Sequence, residues 1–265
     1  SVTIDGGGTV TLAGPGNNIL FMFTNSCTLT GLNLTGGYTT ETTPEQCGGI
    51  GKIENNVTVT LNDCNIYGNS AVEGDNVLGG GFYVLSGQLN MSNCNVYNNT
   101  AVCGGFAFIN GQTSNATLNA VNCNFYGNTA TDYGAVIGNL GGTITLTNCS
   151  VVGNSSPKGA ITNYNFFING QEDGAWFHKY YITDTTITNS IVAHNYSPDA
   201  ATADVWDLYG FLMWGEGARI YPILSKEEIY TKIETTNSII GLAGDYFVEA
   251  PILDDAGNLV NADTL

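Results

Sequence analysis

Val57-Thr-Val-Thr-Leu61-Asn-Asp-Cys64-Asn-Ile66-Tyr-Gly-Asn69 alternates apolar and polar residues, then runs through Asn-Asp-Cys to a Gly-Asn corner. The same sentence returns as Met91-Ser-Asn-Cys94-Asn-Val96-Tyr-Asn-Asn99 and as Ala120-Val-Asn-Cys123-Asn-Phe125-Tyr-Gly-Asn128. It returns again as Leu146-Thr-Asn-Cys149-Ser-Val151-Val-Gly-Asn154. Degraded copies follow at Ile187-Thr-Asn-Ser190 and Thr235-Thr-Asn-Ser238, and one precedes at Leu29-Thr-Gly-Leu32. Recurrence of one supersecondary unit at a near-constant period is the signature of a solenoid.

The four cysteines lie 30, 29 and 26 residues apart, a spacing that a helical array would also permit. The interior of each unit excludes helices. Val57, Val59 and Leu61 alternate with threonines, and Thr143-Ile-Thr-Leu146 does the same. Period two with Thr and Val reads as strand. Gly and Asn at the ends of each run supply turns. Each unit is therefore two or three short strands with sharp bends. The next unit lies about 4.8 Å away along the axis. This is a parallel β-helix of about seven or more coils, filling 1–265 as a single domain.

The expected inward residues are Val59, Leu61, Ile66, Leu89, Met91, Val96, Leu118, Phe125, Ile144, Leu146 and Val151. Cys64, Cys94, Cys123 and Cys149 share one inward position in successive coils. The chain has seven cysteines, an odd number. A parallel ladder gives poor disulfide torsions, so reduced core thiols are preferred over disulfides. No Cys-x-x-Cys pair or histidine partner points to zinc. Asn69, Asn99, Asn128 and Asn154 occupy the corners. They form an internal amide ladder, or they serve a left-handed turn; both readings stay open. A second mark, Cys103-Gly-Gly-Phe106 and its relatives at Cys47, Gly79, Tyr133 and Lys158, places small residues where coils approach closely.

These marks carry a resemblance. The Gly-Gly-Ala-Ile-like element alternating with Phe-x-x-Asn resembles the repeat of the polymorphic outer-membrane proteins. Cys123-Asn-Phe-Tyr-Gly-Asn-Thr-Ala130 is similar to the repeat of the adhesin-like right-handed β-helix proteins of methanogens and other microbes. The resemblance covers about 29–243. It implies a right-handed, single-stranded helix on a microbial cell surface or cell wall, outside the cell, used in adhesion and commonly without an assigned ligand.

The regular pattern breaks twice, near 166–185 and 197–234. Ser225-Lys-Glu-Glu228 reads as a capping box, which predicts one short helix over about 226–233. The tail 244–265 reads as a closing segment. The whole reads as a fragment of a longer surface protein. Ile19-Leu-Phe-Met-Phe23 reads as a continuous apolar strand.

The formal charge is −17, from 6 basic and 23 acidic residues. That excludes nucleic acid as a partner, where phosphates demand Lys and Arg, and docking on an anionic bilayer. No apolar run reaches the roughly eighteen residues of a membrane span. All three tryptophans fall in the two breaks. Trp176, His178, Tyr180, Trp206, Tyr209 and Trp214 are the candidate ligand-binding residues. Aromatic faces beside carboxylates suit a sugar, and the competing reading is a satellite core that holds the insertions in place.

No catalytic residue, metal site or cofactor is expected. Calcium at the Asp/Asn-rich turns is conceivable, but no calcium-loop motif occurs. The favoured function is a non-catalytic adhesin binding a glycan or a protein of another cell. The alternatives are a polysaccharide lyase or hydrolase of β-helix form, and a ligand-free stalk. A hydrolase needs paired carboxylates, whereas the solvent-facing strand positions are Thr, Asn and Ser.

Overall fold

The computed structural model describes residues 1–40, 48–74, 77–112, 115–172, 175–181, 183–197, 208–214, 232–236 and 238–240. These residues are all-β, and no helix occurs among them. They form sheets of 14, 7 and 4 strands. Every pairing is parallel except that of Ile161–Glu172 with Ala175–Tyr181. The architecture is compatible with a parallel β-helix or solenoid.

The largest sheet has two arms that meet in Cys27–Thr35, whose first half pairs with Val57–Asn62 and whose second half pairs with Asn65–Tyr67. Along the first arm follow Gly87–Ser92, Ala116–Val121, Thr143–Thr147, Asp184–Thr188 and Lys232–Thr236. Along the second follow Asn95–Tyr97, Asn124–Tyr126, Ser150–Val152, Ile191–Ala193 and Ile239–Ile240. The chain then crosses the four-stranded sheet, for example at Thr100–Cys103. It returns along the seven-stranded sheet, for example at Ala107–Asn110. One circuit of about thirty residues thus adds one strand to each wall.

Register explains why the repeat survives. Val59 pairs with Leu89, and Leu61 with Met91. Leu118 pairs with Leu89 and with Ile144. A slip of one residue would turn every apolar side chain outward. All eleven residues expected inward from the pattern are buried, none more than 3% exposed. Each such aliphatic contributes about 1.5–3 kcal/mol on burial.

Two expectations need correction. Lys232 and Ile233 are not the end of a helix. They open the strand Lys232–Thr236, which pairs in parallel register with Asp184–Thr188. Positions 226–231 of that segment lie outside the described residues. At Lys232 and Ile233 an unfilled place in the ladder prevails, because tertiary pairing overrides weak local propensity. Ile19–Phe23 is not a strand either. Leu20 N and Phe21 N both donate to Ile50 O, at 3.1 and 2.8 Å, and the segment forms no continuous ladder. It lies on the first coil with a coil on one side only, and Met22 is 82% exposed.

Candidate functional site

The corners show how this sequence turns. Asn69, Asn99, Asn128, Asn154 and Asn195 are all buried. Each donates its amide to the next: Asn69 to Asn99 at 2.9 Å, Asn99 to Asn128 at 3.0 Å, Asn128 to Asn154 at 3.0 Å and Asn154 to Asn195 at 2.8 Å. The carbonyl oxygens of Asn99, Asn128, Asn154 and Asn195 also accept the backbone N–H of the preceding Asn in the stack, as Asn128 Oδ1 does from Asn99 N at 3.1 Å, and Asn69 Oδ1 accepts from Gly37 N at 3.0 Å. The left-handed residue is the one before the corner. Gly68, Asn98, Gly127, Gly153 and His194 have φ of 63°, 55°, 63°, 69° and 56°. The two roles weighed for Asn in the sequence fall on adjacent positions.

The cysteines form a second buried column, and the described ones are free thiols. Each sulfur of Cys64, Cys94 and Cys149 donates to a carbonyl of the preceding coil, at 3.4–3.5 Å. Ser190 and Ser238 continue the column. Cys149 N donates to Ser190 Oγ at 2.9 Å, and Ser190 N to Ser238 Oγ at 3.1 Å. Cys123 lies between two thiols and is lowered, because a thiolate there accepts from Cys149 and from Cys94. Cys94 is raised by its hydrogen bonds to Cys123 and Cys64 and then by burial, and Cys149 by its hydrogen bond to Cys123 and then by burial. Cys103 stands apart, in a small cluster on the outer side of the seven-stranded sheet with Tyr83 and Phe108. Burial pushes its thiol up to about 12.

That shift has a sign. A thiol raised in the folded state stabilises fully below its unfolded value, near 8.5. The contribution is lost as pH climbs through the folded value. Stability should hold from neutral pH to about 8.5 and decline toward about 12. Denaturation midpoints of wild type and Cys103→Ala across that range check it. The variant should decline less steeply, and an equal slope would absolve this thiol.

The candidate aromatic residues gather around one strand. Ile161–Glu172 outruns the coil wall and folds back through Ala175–Tyr181 as an antiparallel hairpin. Leu208–Trp214 joins its other edge in parallel. Phe167 therefore pairs with Tyr180 on one side and Trp214 on the other. His178 pairs with Asn169, and Trp176 with Gln171, progressively farther from the coil wall. Tyr209 pairs with Thr162, back within the wall. Trp206 lies outside the described residues. Register thus brings Tyr180 and Trp214 to one cross-strand row and spreads the others. Phe167, the centre of that row, is absent from the candidate list. Its signal in the sequence is the unbroken run Asn165-Phe-Phe-Ile168, where the threonine alternation stops.

A different aromatic array stands on the outer side of the second arm. Tyr67, Tyr97 and Tyr126 stack with ring centroids 4.9 and 5.0 Å apart and planes 6° from parallel. Beside them Asn65 donates to Asn33 at 2.8 Å, Asn95 to Asn65 at 3.0 Å and Asn124 to Asn95 at 3.0 Å. Sequence reasoning missed this array, although the Asn-x-Tyr repeats at 65, 95 and 124 announce it. Elsewhere a cleft of about 380 Å³ opens between Phe21, Met22, Phe23, Lys52 and Glu54.

Among the described residues, no group of three or more His, Cys, Asp or Glu side chains could hold a metal ion. No helix among them is long and apolar enough to cross a membrane. No family model, curated protein or solved structure matches the chain.

Proposed function

We propose that the chain is a right-handed, single-stranded parallel β-helix that acts as a non-catalytic adhesin on a microbial cell surface. It presents a binding patch to a glycan or protein of another cell. The observation that carries this reading is the hairpin Ile161–Glu172 with Ala175–Tyr181, which continues a stacked wall into a strand pair bearing Trp176, His178 and Tyr180. A stack of coils is a quasi-one-dimensional rod. A hairpin projecting from one wall is where such a rod offers a surface that its neighbouring coils do not repeat.

The coil exterior supports binding over bond cleavage. Outward positions such as Thr58, Thr60, Asn90, Asn119, Thr145 and Thr186 carry hydroxyls and amides, not carboxylate pairs. Charge points the same way. A chain at −17 stays soluble and repels polyanions, so the partner is neutral or basic.

Replacing Trp176, Trp206 and Trp214 together by alanine tests the site. Binding to cells or to a glycan array should fall at least about tenfold. The coil should keep its far-ultraviolet spectrum. Undiminished binding would remove the insertions from the site.

A further inference from the structure

We propose that the outer row Tyr67–Tyr97–Tyr126, with the parallel row Asn65–Asn95–Asn124, binds a neutral linear polysaccharide laid along the solenoid axis, one sugar per coil. The proposal rests on the adhesin reading for its ligand class, but it lies on a different wall from the hairpin.

The amides carry the first argument. A side-chain amide has two N–H donors and two acceptor lone pairs. Asn65 and Asn95 each spend one N–H on the coil before and one lone pair on the coil after. Each keeps one donor and one acceptor. That pair is what two neighbouring hydroxyls of a sugar require, since each hydroxyl both donates and accepts. The ladder holds every amide in one orientation, so little side-chain entropy remains to be lost on binding.

Spacing carries the second argument. The tyrosine rings repeat every 4.9–5.0 Å along the axis, comparable to the advance of one residue in an extended sugar chain. Tyr97 is held between two rings, and its hydroxyl is raised by burial and then by Tyr126 and Tyr67. It therefore stays a neutral donor. Tyr126 ends the stack and is 45% exposed. The next coil places Val152 beyond it, because Phe125 pairs with Val151. Tyr126 thus ends the ring stack against the next coil, and the row offers a polymer along the axis its ring edges and hydroxyls.

Charge selects the class. None of the six residues carries a charge, and the six basic residues of the whole chain lie elsewhere in the sequence. An acidic polysaccharide would meet no cation here and would be repelled by the net charge of −17. A neutral one loses nothing.

The test is affinity electrophoresis of the 265-residue chain through gels containing mannan, xylan or soluble cellulose derivatives, with polygalacturonate as the acidic counterpart. Calorimetry with neutral oligosaccharides of increasing length follows. At least one neutral polymer should retard the chain, and polygalacturonate should not. Affinity should rise with oligosaccharide length up to about three or four sugars and then level, as contacts repeat along the row.

Tyr67→Ala with Tyr97→Ala and Tyr126→Ala should weaken binding by about tenfold or more. Tyr126→Ala alone, at the end of the stack, gives a readout even if the triple variant unfolds. Gln88→Ala, exposed on the other arm of the same sheet, should bind the polymer like wild type. No retardation by any neutral polymer, preference for polygalacturonate, or unchanged binding in Tyr126→Ala overturns the proposal. Polymer retardation kept in Tyr126→Ala and lost in the Trp176/Trp206/Trp214 variant would overturn it while leaving the adhesin reading intact.

Discussion

Asn99→Ala is expected to cost about 3–5 kcal/mol, the sum of several buried groups each left without a partner at about 1–3 kcal/mol. Asn99 is fully buried. Its Nδ2 donates to Ile66 O at 3.0 Å, Tyr97 O at 3.2 Å and Asn128 Oδ1 at 3.0 Å. Its Oδ1 accepts from Asn69 N at 3.1 Å and Asn69 Nδ2 at 2.9 Å. Alanine removes all five contacts and admits no solvent in their place. The damage should be local first, because neighbouring coils carry each other's stability in a stack. Urea denaturation together with native-state hydrogen exchange at the amides of 66–72 and 96–101 would read it. The solvent-facing ladder is the control. Asn124 donates to Asn95 at 3.0 Å in an exposed setting, so Asn124→Ala should change stability by less than about 0.5 kcal/mol. Equal losses at the two sites would mean that burial of the ladder is not what matters.

Gly104→Ala is expected to cost at least about 3 kcal/mol, from two terms that act together. Gly104 has φ of 67°, where a Cβ costs about 1–2 kcal/mol. The added methyl would also lie 2.2 Å from Ala107 O, a backbone atom that cannot move without breaking the seven-stranded sheet. Cognate glycines at 48, 79, 134 and 159 share the positive φ, at 89°, 73°, 66° and 75°. The residue after each differs between coils. It is Gly49, Gly80 and Gly105 in three coils, where a Cβ would lie 2.1–2.4 Å from a backbone carbonyl, and it is Ala135 and Ala160 in the last two, which carry that methyl. Ala135→Gly should therefore cost no more than about 1 kcal/mol. A thermal melt of the two variants separates them, and similar shifts would refute the assignment of the left-handed position.

Much of this was legible in the chain itself. Alternation at Val57–Leu61 and at Thr143–Leu146 identifies strands. The return of Cys-Asn at 64, 94 and 123 identifies stacking, since a repeated inward residue has nowhere to go but above its own copy. The inward list read from that pattern coincides with buried residues throughout. The candidate patch was legible only as composition. Three tryptophans leave the repeat together, but nothing in a local pattern says that Phe167 sits between Tyr180 and Trp214. The far end of the helix expected after Ser225 shows the opposite failure. Lys232 and Ile233 enter a strand, because Asp184–Thr188 offers them an open edge.

Periodicity alone therefore settles which side chains face inward and that equivalent residues lie over one another, because a strand has two faces and water selects one. What only the folded chain decides is pairing at the breaks and the exact partner of each corner amide. Which edge a strand joins depends on which edge is left open by segments far away in sequence. No hydrophobic alternation encodes that.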